Sequence, residues 1–240
     1  YIHMLKVIAH MTTPGGLTGA PRRLLTLATV LEREGIGICV TSQSGSDLLE
    51  AAVAEGHETA AVDVVGVLAL RQGALFGGGV TFRFRVLFDL LRQNWRLFRC
   101  IRSRRGDVVW IRGSKGIAFG TLGALLSRRP LIWDVDYELP SSGMVRWLHR
   151  LGLWASEAVV FQYSAAPEAI FGDRLAAQYS SKFRTIIPGI DLGSLESSQM
   201  MLAQREKSRE RPFVVLQVGT VCDRKNQQTI IDALARLQGQ

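Results

Sequence analysis

Short apolar runs rich in β-branched residues recur along this chain, and each is separated from the next by a stretch with helical spacing. The runs are Val7-Ile8-Ala9, Ile38-Cys39-Val40-Thr41, Ala60-Ala61-Val62-Asp63-Val64, Val108-Val109-Trp110-Ile111, Pro130-Leu131-Ile132-Trp133, Ala158-Val159-Val160-Phe161 and Arg184-Thr185-Ile186-Ile187. Continuous rather than alternating hydrophobicity marks strands covered on both faces, which is what a parallel sheet requires. Strands that alternate with helices in this way predict an α/β fold, doubly wound about a mostly parallel sheet.

The intervening segments read as helices. The first starts near Pro21, a residue suited to a first helical turn, carries Leu24, Leu25, Leu27, Ala28 and Leu31, and ends at Gly35. Residues 47–55, 116–127, 144–155 and 166–178 follow the same logic. Residues 73–79 are glycine-rich and predict a mobile loop. A long helix over about 82–104 comes next. It places Phe84, Leu87, Phe88, Leu91, Trp95, Phe98 and Ile101 on one stripe, with Arg85, Arg92, Arg96 and Arg99 off it. Such a helix has two readings: it packs its apolar stripe on its own sheet, or it lies on an anionic membrane surface.

Residues 194–211 are polar and charged and read as a connector, so a first domain spans 1–193 and a second opens at 212 and runs to 240. That opening is half of a βαβ unit. Phe213-Val214-Val215-Leu216-Gln217-Val218 is a buried-strand run, Gly219 ends it, and a helix over 229–237 follows with Ile230, Ile231, Leu234 and Leu237 at helical spacing. Free backbone N–H groups at that helix's start favour an anion, with Lys225 as a point charge. The expected strand would present an apolar edge, through which the segment could pair with another copy.

Composition narrows the function classes. At 240 residues and 47% hydrophobic content the chain can bury a sizeable core, and no apolar stretch approaches the roughly 20 residues of a membrane span. The residues Tyr1-Ile2-His3 read as a remnant before a start at Met4, and no secretory signal fits the opening strand. Three cysteines, Cys39, Cys100 and Cys222, are odd in number and too scattered for zinc, which suits a reducing compartment. The net charge of +8 rests mostly on arginine, so the chain either meets anionic partners or reflects arginine-biased codon use. Nothing resembles a nucleic-acid-binding motif.

The loop Pro14-Gly15-Gly16-Leu17-Thr18-Gly19-Ala20-Pro21 joins the first strand to the first helix, where glycines let a backbone approach a ligand and aim N–H groups at phosphate. It is not the GxGxxG of dinucleotide dehydrogenases, and the second strand ends in Thr41-Ser42-Gln43 with no acidic residue for a ribose. Strand ends supply the other candidates. Asp134 and Asp136 follow Trp133, Arg112 ends the fourth run and His10 the first. Either aspartate is a ligand group or a helix or turn cap, and His10 either lines the cleft or sits in the core.

Taken in order, these motifs resemble the family 4 retaining glycosyltransferases. Gly15-Gly16 followed by Arg22, Arg23 and Leu24 is similar to the family's first glycine loop and helix. Ile187-Pro188-Gly189-Ile190-Asp191 resembles its strand-ending motif before the crossover, with Pro-Gly where many members have Asn-Gly. Residues 218–227 resemble the start of its donor-binding domain. The resemblance covers nearly the whole chain and implies the N-terminal half of a two-domain glycosyltransferase B-type fold, with Rossmann-like domains.

The resemblance implies transfer of a sugar from a nucleotide-diphosphate donor to a glycan or lipid-linked acceptor, with retention and usually without a metal or other cofactor. Within that frame the candidates are Gly15, Gly16, Arg224 and Lys225 for the donor diphosphate, Thr18, His10 and Arg112 for the acceptor, and Asp134 and Asp136, which stand near where many members have a histidine, for the reacting centre. The family's usual arginine after the glycine is Thr220 here, and its pair of donor-binding glutamates lies downstream of Gln240. The chain is therefore expected to be a truncated form with little activity alone, cytoplasmic, at the inner face of a membrane. The competing expectation is a noncatalytic Rossmann-type module that docks on membrane phosphate or a protein partner.

Overall fold

A computed structural model describes residues 4–12, 16–17, 19–69, 79–135, 143–164, 166–187 and 227–238. The chain divides into two compact units, Tyr1–Pro188 and Gly189–Gln240. Within the first lie seven strands: β1 Lys6–His10, β2 Gly37–Ser42, β3 Glu58–Ala61, β4 Val108–Arg112, β5 Leu131–Asp134, β6 Ala158–Phe161 and β7 Phe183–Thr185. All pairs are parallel and the order across the sheet is β3-β2-β1-β4-β5-β6-β7. The doubly wound parallel sheet expected from the apolar runs is thus the observed one.

Helices cover both faces. On one side lie α1 Gly19–Arg33 and α2 Asp47–Ala54, and on the other α3 Val80–Ser103, α4 Gly113–Ser127, α5 Gly143–Ala155, α6 Ala166–Phe171 and α7 Asp173–Tyr179. Alternate residues of each strand feed the two cores. Val7, Ala9, Ile38 and Val40 pack with Leu24, Leu25, Leu48 and Leu49, whereas Ile8, Cys39, Val109 and Ile111 pack with Leu97, Ile101, Ile117 and Leu153. The expected helix over 166–178 is two, broken at Gly172, whose φ of 77° is left-handed. The third strand begins earlier than its run, because Val62, Val65 and Leu68 are buried beyond the strand rather than in it.

The long helix differs most from expectation. Its last turns bury Leu97 and Ile101 as an amphipathic helix should, but Phe84, Leu87, Phe88, Leu91 and Trp95 are exposed. The side turned inward before Leu97 is polar. Asp89 Oδ2 accepts from the Val67 amide at 3.0 Å and Gln93 Oε1 from the Val65 amide at 3.1 Å. Asn94 donates to Leu90 and Ala118 carbonyls at 2.9 Å and accepts from the Gly123 amide at 3.2 Å. These side chains satisfy backbone groups of the segment after β3 and of α4 that would otherwise be buried unpaired. The first half of the stripe does not pack on the sheet.

Close contact between α3 and α4 depends on glycine. A Cβ at Gly123 would stand 2.7 Å from the Asn94 carbonyl oxygen, and one at Gly120 would stand 3.0 Å from Leu97 Cδ2. In the second unit, α8 Gln227–Gln238 covers the helix expected there. The expected glycine-rich loop up to residue 78, the connector over 194–211 and the strand over 213–218, with the pairing proposed for it, lie outside the described residues. No described helix is long and apolar enough to cross a membrane.

Candidate functional site

The sheet order places β1 beside β4, and the connections leaving these two strands go to opposite faces, α1 to one and α4 to the other. A crevice opens outside the carboxyl ends of strands where connections diverge in this way, and open α/β sheets bind ligands there. Arg112 is the last residue of β4, directly before α4. Its register partner is Asp134, the last residue of β5.

The two side chains form a buried ion pair, Arg112 Nη1 to Asp134 Oδ2 at 2.8 Å. A second arginine, Arg23 in the second turn of α1, brings Nη2 to 3.9 Å from Asp134 Oδ1. Gln162, the first residue after β6, joins them with its amide turned so that the oxygen accepts from Arg23 Nη1 at 2.9 Å and Arg112 Nη2 at 3.2 Å. Four groups from α1 and three strand ends thus meet at the mouth of the sheet. Pairing of this kind holds the guanidinium of Arg112 in one orientation, since a buried charge left unpaired is costly. Arg23 is less deeply buried than Arg112.

His10 ends β1 and is sealed from solvent. Its Nδ1 lies 3.0 Å from Thr41 Oγ1, and that hydroxyl donates to the Ala9 carbonyl at 3.2 Å. Nδ1 therefore carries the proton and Nε2 is left as an acceptor, without a partner among the described residues. Burial pushes the ring down to about 4, opposed in part by hydrogen bonding to Thr41. Of the two readings open for His10, this is the geometry of a core histidine. A second buried histidine, His149 on α5, lies 2.9 Å from Ser114 Oγ near the start of α4. It packs on Trp133 and edge-on to Phe171, and burial likewise takes it down to about 4.

The glycine loop is held from below. The Gly16 amide, at a left-handed φ of 78°, donates to Asp47 Oδ2 at 2.7 Å, and Arg22 Nε donates to the Leu17 carbonyl at 3.1 Å. The carboxylate occupies the N–H that a phosphate at this loop would take. An anion bound there would have to displace Asp47.

Of the residues singled out in the sequence, Arg112 and Asp134 are brought into contact, and His10 lies on the neighbouring strand end with its ring turned to the α3–α5 side. Gly16 is tied to α2 instead of facing that pair. Gly15, Thr18, Asp136, Arg224 and Lys225 lie outside the described residues. The sequence reading missed Gln162 and His149 and gave Arg23 no site role. Gln162 follows a buried strand just as the candidate carboxylates do, so the strand-end rule that found Asp134 would have found it too.

No family profile and no curated protein matches the chain by sequence. Solved structures match it by fold. A crystal structure of Anabaena HepE in complex with UDP and glucose matches with a TM-score of 0.66 at 16% identity, over 98% of this chain and 58% of that one. A glycosyltransferase from Rickettsia africae matches with a TM-score of 0.67 at 12% identity, over 99% of this chain and 59% of that one. The S. aureus MnaA co-structure with UDP matches with a TM-score of 0.52 at 14% identity, over 76% of this chain and 43% of that one. The chain thus spans less than two thirds of the length of these structures. The likeness is one of fold: a Rossmann-like sheet, here of seven parallel strands, with the architecture of the N-terminal domain of GT-B glycosyltransferases.

Proposed function

We propose that this chain is the acceptor-side domain, with the opening of the donor-side domain, of a glycosyltransferase. The reading takes a nucleotide-diphosphate sugar as substrate and moves its sugar, a hexosyl group, to a glycan or lipid-linked acceptor with retention, invoking no metal. The observation that carries it is the fold likeness over nearly the whole chain to HepE, which was crystallised with UDP and glucose. The polar cluster of Arg23, Arg112, Asp134 and Gln162 supports it by standing where open α/β sheets place ligand groups.

In this reading Asp134 fixes the Arg112 guanidinium, which with Arg23 offers N–H donors to acceptor hydroxyl or phosphate oxygens. Asp136 is the remaining candidate for a carboxylate at the reacting centre and Thr18 the remaining candidate on the acceptor side, while His10, buried in the core, takes no part. Lys225 and Arg224 would stabilise the diphosphate as its charge develops on departure, and a contribution from the Gly15-Gly16 loop would first require Asp47 to leave the Gly16 amide. A lipid-linked acceptor would bring the protein to the cytoplasmic face of a membrane.

Calorimetric titration with UDP-glucose tests the division of labour. The gene product extended beyond Gln240 is expected to bind the donor, and the 240-residue chain to bind it at least tenfold more weakly. Tight donor binding by the 240-residue chain, or none by the extended product, would contradict the reading.

A further inference from the structure

Strands β5 and β6 are neighbours in the sheet, so the helices that follow them, α5 after β5 and the α6–α7 pair after β6, lie side by side on one face. They touch where the rings of His149 on α5 and Phe171 on α6 meet edge-on at 5.4 Å. Beside that contact an open cavity of about 840 Å³ separates them. Gly172 shapes its second wall: the left-handed φ of 77° parts α6 from α7, and residues on both sides of the break line the cavity. An added Cβ at Gly172 would meet nothing within 4 Å, so the glycine serves the turn and not a close contact.

A cavity of this size takes a small molecule, and its charge says which. Arg146 and Arg150 stand one turn apart on the α5 wall, about 6 Å along the axis, and Arg174 stands on the α7 wall. Arg150 and Arg174 are exposed and make no ion pair or hydrogen bond among the described residues. Guanidiniums gathered in one cavity without ion-pair partners repel one another and attract anions. A carboxylate offers two oxygens and is met by one guanidinium fork, whereas a phosphate monoester offers three and can be met from both walls.

The walls are not wholly cationic. Glu168 of α6 and Asp173 of α7 line the same cavity and are likewise without a partner among the described residues. They oppose a bare phosphate but accept hydrogen bonds from hydroxyl groups. We propose that this cavity binds a small phosphorylated polyol, its phosphate on Arg150 and Arg174 and its hydroxyls on Glu168 and Asp173. The cavity shares no residue with the cluster of Arg23, Arg112, Asp134 and Gln162, so it is a second site and does not depend on the sugar-transfer reading.

Calorimetric titration of the 240-residue chain with glucose 6-phosphate tests it, with inorganic phosphate as the comparison. Glucose 6-phosphate is expected to bind more tightly than inorganic phosphate. Arg150→Ala and Arg174→Ala should each weaken it about tenfold through loss of a charge-assisted hydrogen bond. Thermal unfolding of the free protein should not change in either variant, because both side chains are in solvent. Glu168→Gln with Asp173→Asn should bring glucose 6-phosphate level with inorganic phosphate. Arg33→Ala, which removes an exposed arginine from α1 on the opposite face, should alter neither affinity. Four outcomes would each overturn the proposal: no binding of glucose 6-phosphate, unaltered binding in Arg150→Ala and Arg174→Ala, an equal loss in Arg33→Ala, or inorganic phosphate bound as tightly as glucose 6-phosphate. The second of these would place the phosphate at the strand-end cluster instead.

Discussion

The two helical layers of this domain solve the same packing problem in opposite ways. The α1–α2 layer follows the amphipathic rule: Leu24, Leu25, Leu48 and Leu49 turn inward and the charged residues turn outward. The α3–α4 layer reverses it over half its length, burying Asp89, Gln93, Asn94 and a row of glycines while exposing phenylalanine, leucine and tryptophan. The difference traces to what each helix must satisfy. α1 and α2 meet strands whose backbone is already paired, whereas α3 crosses above a segment with the unpaired amides of Val65 and Val67. Hydrophobic periodicity therefore reports a buried face only where the opposing backbone needs nothing from the helix.

Acid separates the layers most strongly. The two histidines taken down by burial, His10 and His149, both belong to the α3–α5 side. Their folded-state values of about 4 lie below the free value of 6.5, so the unfolded chain takes up protons first. Stability from each ring is complete above pH 6.5, declines as the pH falls toward 4, and is not reduced further by these groups below that. The loss is about 3 kcal/mol per ring, from 1.36 kcal/mol per pH unit. Urea unfolding followed between pH 7 and pH 5 should show the decline, and His10→Asn or His149→Asn should each flatten it by about half. An unchanged slope in both variants would break the assignment of acid sensitivity to this layer.

Next in size is a direct exchange between layers. Leu24→Ala removes a buried leucine from the α1 side and should cost about 3 kcal/mol. Phe88→Ser removes a larger apolar group from α3, yet should change the unfolding free energy by less than about 0.5 kcal/mol because the ring is already in solvent. Comparable losses in the two variants would mean that the α3 stripe is core after all.

The sheet was legible because each parallel strand is buried on both faces and so announces itself without reference to its neighbours. Six runs need shifts of only a residue or two. The third slips because Val62, Val65 and Leu68, apolar and buried, continue past the last ladder bond at Ala61. The inward side of α3 was illegible for a different reason: it is set by amides of residues 65–67, which no periodicity in 80–103 encodes. At the site, strand ends pointed to Arg112 and Asp134, but their mutual ion pair depends on β4 lying beside β5 in one register. Gln162 carries no charge to draw attention, and the commitment of Gly16 to Asp47 spans a contact between α2 and the first loop that spacing does not reveal.

Close helix approach gives a smaller effect confined to the α3–α4 layer. Gly123→Val would drive a Cβ to within 2.7 Å of the Asn94 carbonyl and 3.1 Å of the Phe98 amide, both backbone atoms that cannot rotate away. About 2 kcal/mol of destabilisation follows from such overpacking, read as a fall of roughly 6 °C in the unfolding midpoint. Gly19→Ala at the start of α1, where an added Cβ meets nothing within 4 Å, should leave the midpoint in place. Equal effects at the two glycines would remove the distinction between a layer that needs glycine for contact and one that does not.

The smallest effect tests the α1–α2 layer at the polar tie between α2 and the glycine loop. Asp47→Ala removes the carboxylate that accepts from Gly16 at 2.7 Å and also a negative charge from the first turn of α2, where the helix dipole favours it. The bond is solvent-exposed, so its loss should cost about 1 kcal/mol, seen as a lower urea midpoint with an unchanged slope. Asp47→Asn keeps an oxygen that can accept and should lose less than half as much. Because Gly16 is then released to offer its amide elsewhere, the gene product extended beyond Gln240 should bind UDP-glucose no more weakly as Asp47→Ala than as wild type under the proposed reading. A loss of donor affinity in that variant would assign Asp47 the task of holding the loop in its binding shape, and α2 would then join α1 and the strand ends in building the site.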